Sequence, residues 1–167
     1  MMTSSESVFA RLRALNIPLP PTIRSQGAYD LVVVHGGLAS VSGQLPRLDD
    51  DGRLISGRLA ADADLALARD AARLCFARAL LALHVALGDL ARVERLVSIR
   101  GFINAVPEFQ RHGAVMDAAS ELAIDLFGAA GRHVRSALGA GGLPAGALVE
   151  VEVVAALAVT EPRPQQA

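Results

Sequence analysis

A stretch near the C-terminus, Gly131 to Val154, most constrains how this chain can fold. Val134–Leu138 and Leu148–Val154 alternate in character as strands do, because successive side chains on a strand point to opposite sides of a sheet. On the second segment Val149, Val151 and Val153 form an apolar face, while Glu150 and Glu152 share the other with Leu148 and Val154. Arg135 falls out of step with Val134 and Leu138 on the first segment. The glycine-rich link between the segments predicts a pair of strands joined by a flexible connection, with Arg135, Glu150 and Glu152 as candidates for one surface. Burying an unpaired carboxylate is costly, so such a surface is wet, paired with a cation, or both. Two readings satisfy that demand: an exposed strand face carrying a weak ion pair, or a cleft holding water and an anion.

Upstream, Ser4 to Leu15 begins with capping residues and spaces Val8, Phe9, Leu12 and Leu15 as one helix face. The run Ile17-Pro18-Leu19-Pro20-Pro21 ends that helix and predicts an extended loop to Gly27. Asp30–His35 and Leu38–Ser42 flank Gly36-Gly37, a two-residue hairpin signal. The acidic run Asp49-Asp50-Asp51-Gly52 lacks the ligand pattern of a calcium loop and reads as a solvated turn. From Asp64 to Leu87 a three-four apolar spacing predicts a long amphipathic helix closed by Gly88, with Arg69, Arg73 and Arg78 as a solvated face. Val93–Asn104 alternates, with Val97, Ile99 and Ile103 facing the helices and Leu96, Ser98, Arg100 and Phe102 facing away. A second helix is expected from Pro107 to Phe127, ended by Gly128. The order helix, hairpin, helix, strand, helix, hairpin gives an α+β fold: a mixed β-sheet with two main helices packed on one face and a short N-terminal helix.

Composition narrows the function. The 167 residues are 52% hydrophobic, yet contain no apolar run of membrane-spanning length. The excess suits a subunit interface. With a net charge of −1, 4% aromatic residues and no Trp, the chain lacks the basic patches and stacking aromatics of nucleic-acid binders. The N-terminus has no signal-peptide pattern, so a cytoplasmic protein is expected. Cys75, alone on an apolar helical stripe, reads as an inert buried thiol. His35, His84, His112 and His133 show no metal-ligand spacing. The glycine-rich segment 139–146 has neither a following Lys-Ser or Lys-Thr nor GxGxxG spacing, and no GxSxG elbow occurs. Neither a metal nor a cofactor is expected.

Three segments carry a family resemblance. Arg135-Ser136, Leu143-Pro144 and Val149-Glu150-Val151-Glu152 resemble the C-terminal signature of the RidA/YjgF imine deaminases, formerly called endoribonuclease L-PSP. Ser40-Val41-Ser42-Gly43-Gln44-Leu45-Pro46 resembles that family's SGQ-P segment, and Gly27-Ala28-Tyr29 its Gly-Pro-Tyr or Gly-Asn-Tyr element, in the family's order. The resemblance is to the longer subgroup with an extra N-terminal helix. It implies an extension over residues 1–16, one chorismate-mutase-like domain over 17–160 and a C-terminal tail over 161–167.

The resemblance also implies a homotrimer with clefts between subunits and hydrolysis of small 2-imino acids to 2-keto acids and ammonia. Arg135 would grip the substrate carboxylate and Glu150 would activate water. Tyr29, closing the cleft from an adjoining chain, would line it with Ser42 and Gly43. Ala137 stands where many members carry cysteine, and Asp117 where many carry asparagine. Other readings are a module that binds a small carboxylate such as a keto acid without turning it over, and an endoribonuclease.

Overall fold

The computed structural model describes residues 3–49 and 52–158. The expected tail over 161–167, and Asp50 and Asp51 of the acidic run, lie outside the described residues. Three α-helices, α1 (Ser5–Ala14), α2 (Ala66–Leu87) and α3 (His112–Phe127), accompany five strands: β1 (Val32–His35), β2 (Leu38–Gln44), β3 (Val93–Asn104), β4 (Val134–Ala140) and β5 (Val149–Leu157). The strands form one mixed sheet in the order β1-β2-β5-β3-β4, in which only β3 and β4 run parallel. The fold is the expected α+β arrangement.

Local chemistry sets the boundaries. Ser4 caps α1 by accepting from the Ser7 N–H, and Asp64 accepts from the Ala66 N–H at the start of α2. Gly36 and Gly37 turn β1 into β2 with φ of 58° and 76°, the left-handed region that glycine enters without a Cβ penalty. Proline at 107 does not start α3. The segment 107–111 is irregular, and Phe109 enters the core from that loop at 1% exposure, so its place in the apolar pattern does not come from a helix.

The core lies between the sheet and the helices. Phe76, Leu80 and Leu83 of α2, Val115 and Met116 of α3, and Ile99, Ile103, Val149, Val151 and Val153 of the sheet are all fully enclosed. Cys75 is buried as expected, and burial raises its thiol pKa well above the ordinary value, keeping it protonated. Truncating Phe76 to Ala, where no aqueous surface exists to absorb the loss, should cost about 3–5 kcal/mol; urea unfolding measures it.

Two sequence expectations change. The C-terminal strands are not a hairpin: β3 lies between β4 and β5, because β4 returns through α3 as a parallel neighbour of β3 and β5 fills the slot beside β2. Their glycine-rich link is also fastened rather than free, since Gly57 N–H donates to Gly146 O and Leu148 N–H to Ile55 O. In β3, Leu96 is buried and Val97 only partly so, the reverse of simple alternation. Leu96 and Ser98 oppose the consecutive residues Ala155 and Val154, so an extra β3 residue at 97 shifts the side-chain phase.

Helix α1 is tied to the body by polar contacts. Ser5 N–H donates to Asp89 Oδ1 at 2.8 Å, and Ser5 Oγ accepts from Leu90 N–H at 2.8 Å. Bonds from the Ala91 and Ser5 N–H groups hold the Asp89 carboxyl below its ordinary pKa. A depressed folded-state pKa gives stability that is present at neutral pH and lost on acidification through the carboxylate range. Asp89→Asn should therefore flatten the acid limb of the protein's thermal stability; melting curves across that range check it.

Candidate functional site

The register divides the sequence-predicted site residues into two groups. Partners in a ladder point to the same side of the sheet, and Arg135 pairs with Ile99, which pairs with Val153 on the helix-covered face. Glu150 pairs with Phe102 and Glu152 with Arg100, one residue out of phase, so both carboxylates project from the opposite face. A single chain thus does not join Arg135 to Glu150. The expectation of one shared surface fails within the chain because β4 and β5 are separated by β3, in a register that sends the two side chains to opposite sides.

The first group gathers at the β4 edge. Arg135 Nη1 donates to Asp117 Oδ1 at 2.8 Å and to Ser120 Oγ at 3.1 Å, so Asp117 acts on the arginine directly from α3. Arg135 keeps 26% of its side-chain surface. Ala137 follows on the same face, opposite Gly101. His133 Nδ1 lies 2.7 Å from Gly131 O and its Nε2 lies 3.1 Å from Ser120 Oγ. Burial foremost, with Arg135 as a lesser influence, lowers the His133 pKa and favours the neutral ring.

The second group lines a cleft of about 240 Å³ where β2 leaves the sheet. Tyr29, Gly43 and Glu150 face it together with Arg24, Gln26, Arg47, Arg78 and Pro144. The β2–β5 register slips between Val41 and Gln44, and at that irregularity in the strand Gly43 approaches the Glu150 side chain so closely that an added Cβ would stand 1.8 Å from Oε1. Glycine at 43 is thus a steric requirement for the carboxylate's position. Ser42 stands at the edge of this cluster: its Oγ accepts from Gln44 Nε2 at 3.3 Å, and it lines a shallower hollow on the open sheet face with Arg100 and Glu152. Arg100 Nη1 lies 3.8 Å from Glu152 Oε2, so Glu152 is paired on that face.

Glu150 is the titratable group best matched to chemistry. Partial burial raises its pKa above the usual carboxylate range, and the like charge of Glu152 adds to the shift. None of the ion pairs among the described residues involves Glu150. A carboxylate raised in this way is a stronger base at neutral pH than an exposed one. Among the described residues no group of three or more His, Cys, Asp or Glu side chains could hold a metal ion.

Arg78 departs from the solvated face expected of the α2 arginines. Arg69 bonds Glu121 and the Ala114 carbonyl, and Arg73 bonds Asp70, but Arg78 is only 7% exposed and lines the Glu150 cleft. Periodicity could have found it, since Arg78 lies three residues after Cys75 on the apolar stripe. Arg47 had no such signal: a loop places it beside Gln26, whose Oε1 accepts from Arg47 Nη2 at 2.8 Å.

Comparison with known proteins agrees with this architecture. Residues 9–157 match the family described as "YjgF/chorismate mutase-like, putative endoribonuclease". Protein TCP17 of Trypanosoma cruzi is 38% identical over 157 residues, covering 93% of this chain and 98% of that one. The structure of Atu1372 from Agrobacterium tumefaciens is 35% identical with a TM-score of 0.81, covering 92% of this chain and 96% of its own. Escherichia coli TdcF, solved with serine bound, shares the fold at 23% identity and a TM-score of 0.59, over 82% of this chain and 94% of its own. No helix among the described residues is long and apolar enough to cross a membrane. With the family match spanning nearly the whole described chain, and the signature residues set on the strands that the fold requires, this protein belongs to the RidA/YjgF family.

Proposed function

We propose that the protein is a deaminase that hydrolyses small 2-imino acids to 2-keto acids and ammonia, at a site shared between copies of the chain. The observation that carries this reading is the Glu150 carboxylate, held beside Gly43 in a small cleft, with a raised pKa and no ion-pair partner among the described residues. Glu150 would accept a proton from water as its oxygen bonds to the imine carbon. That proton would pass to nitrogen to give a carbinolamine, and a second transfer through the carboxylate, from the new hydroxyl to nitrogen, would break the carbon–nitrogen bond as ammonia leaves and the carbonyl forms. An imine carbon is already electrophilic, so orientation and a modest base supply the acceleration.

The substrate's carboxylate calls for a planar guanidinium that can donate two parallel bonds. In this reading Arg135 supplies it from a second copy, because its own Glu150 lies across the sheet. Tyr29, 51% exposed at the cleft, and Ser42 would border the bound substrate, with Ala137 beside Arg135. A homotrimer meets the geometry by closing one copy's β4 edge against the next copy's cleft. It would also cover Val33, Val34, Leu38, Val134 and Leu138, which are large, apolar and exposed in the isolated chain.

The direct test is keto-acid release from enzymatically generated 2-iminopropanoate and bulkier imino acids. Wild type should accelerate release, and Arg135→Ala should lose about 10- to 100-fold in kcat/KM with the carboxylate grip. A folded wild type that accelerates none of these reactions would refute the deaminase assignment. Asp117, half-exposed, already accepts from Arg135 and in this reading would compete with the substrate carboxylate for it, so Asp117→Asn should lower KM by about 2- to 5-fold. Steady-state kinetics with one imino acid measures that change.

A further inference from the structure

Arg135 Nη1 donates to two acceptors, Asp117 Oδ1 at 2.8 Å and Ser120 Oγ at 3.1 Å. The two differ in charge. A carboxylate offsets the guanidinium it binds, whereas a hydroxyl accepts from it and leaves its charge intact. The hydroxyl's own proton has a defined place. A carbonyl oxygen only accepts, so His133 Nδ1, 2.7 Å from Gly131 O, carries the ring hydrogen. The neutral ring, which burial favours, then offers Nε2 as an acceptor 3.1 Å from Ser120 Oγ. Arg135, Ser120, His133 and the Gly131 carbonyl thus form one chain of hydrogen bonds running in a single direction, each bond polarising the next.

We propose that Ser120 and His133 are positioning residues for Arg135: the histidine fixes the serine hydroxyl, and the serine holds the guanidinium as a neutral anchor while a substrate carboxylate binds. The inference rests on Arg135 as the carboxylate grip of the deaminase reading. The far end of the chain is built in. An added Cβ at Gly131 would stand 2.1 Å from the Ala123 carbonyl oxygen, so the backbone that accepts from His133 lies directly on α3, one turn beyond Ser120. A serine inside a helix can turn its hydroxyl back to the carbonyl four residues earlier, here that of Met116. His133 draws that proton outward instead and leaves the Oγ lone pairs to Arg135. The anchor matters because Arg135 stands on an edge strand, with β4 paired only to β3. A long side chain held in place beforehand loses less freedom when its ligand binds.

The test uses 2-iminopropanoate for steady-state kinetics and 2-oxobutanoate, a keto acid that has no imine to hydrolyse, for calorimetric binding. Ser120→Ala and His133→Leu should each raise KM and weaken 2-oxobutanoate binding by about 3- to 10-fold, with kcat within about twofold of wild type. The sign is opposite to that expected of Asp117→Asn, although both side chains accept from the same nitrogen. His133→Gln, whose amide oxygen replaces Nε2 as an acceptor, should recover most of the loss. In an Arg135→Lys background, Ser120→Ala should add less than about twofold. Melting curves confirm that each variant is folded. Unchanged KM and binding in Ser120→Ala, or an equal loss with and without Arg135, would overturn the positioning role and leave the deaminase reading standing. If wild type hydrolyses no imine faster than spontaneously, while 2-oxobutanoate binding still depends on Ser120 through Arg135, the deaminase reading falls and the anchor stands. If wild type neither hydrolyses an imine nor binds 2-oxobutanoate, both fall.

Discussion

Glu150→Gln is expected to lower imine hydrolysis by about 10²- to 10⁴-fold, the range lost when a positioned general base is removed. Its stability should move the other way. The Glu150 pKa is higher in the folded protein than in the unfolded chain, so the folded state holds the proton more tightly. Stability linked to this group is gained as pH falls through the folded pKa, and the ionised carboxylate costs stability above it. A neutral glutamine removes that cost, so the variant should melt at the same temperature as wild type or higher at neutral pH. Loss of activity with undiminished stability separates a functional carboxylate from a structural one. The wild-type rate should fall on acidification through a pKa above the usual carboxylate range. Glu152→Gln, which removes the like charge, should move that limb to lower pH. Activity profiles and melting curves recorded on the same samples measure all three effects.

The second large effect is expected at Gly43. An alanine Cβ there would stand 1.8 Å from Glu150 Oε1 and 2.7 Å from its carboxyl carbon, distances that no packing accommodates. The carboxylate must move, or the irregular stretch of β2 between Val41 and Gln44 must shift. Misplacing a catalytic group by about 1 Å costs about 10²-fold, so Gly43→Ala should approach the Glu150→Gln defect without touching any ionisable atom. Combining the two should add little, because both act through one carboxylate. A double variant much slower than either single one would show that Gly43 acts by another route.

Much of this architecture is written in local pattern. The three-four spacing from Asp64 to Leu87 and the Gly36-Gly37 turn locate α2 and the first hairpin to within two residues at each boundary, since both signals depend on neighbours in sequence. The bulge at Val97 was not legible: Val, Ser and Ile alternate smoothly there, and the phase shift arises from pairing with β5. Strand order escaped for the same reason. Nothing between Ala140 and Val149 states that β5 passes over β3 to reach β2, and that placement sends Glu150 and Arg135 to opposite faces. At the site, Glu150, Gly43 and Tyr29 were recognisable from family-like segments, and the structure places them around one cleft. Arg24 and Arg47 lie on loops without periodicity, so only tertiary structure reveals that they meet Arg78.

The central claim, a site completed by Arg135 of one copy and Glu150 of another, is tested most directly by subunit complementation. Arg135→Ala and Glu150→Gln chains are each expected to be nearly inactive alone. Co-expressed at equal levels and assembled at random, a cyclic oligomer would bring one intact residue from each side together in about a quarter of its sites. Hydrolysis should therefore return to about 25% of the wild-type rate per site. Mixed oligomers, verified by affinity tags on both chains, that remain as inactive as either parent would contradict a shared site.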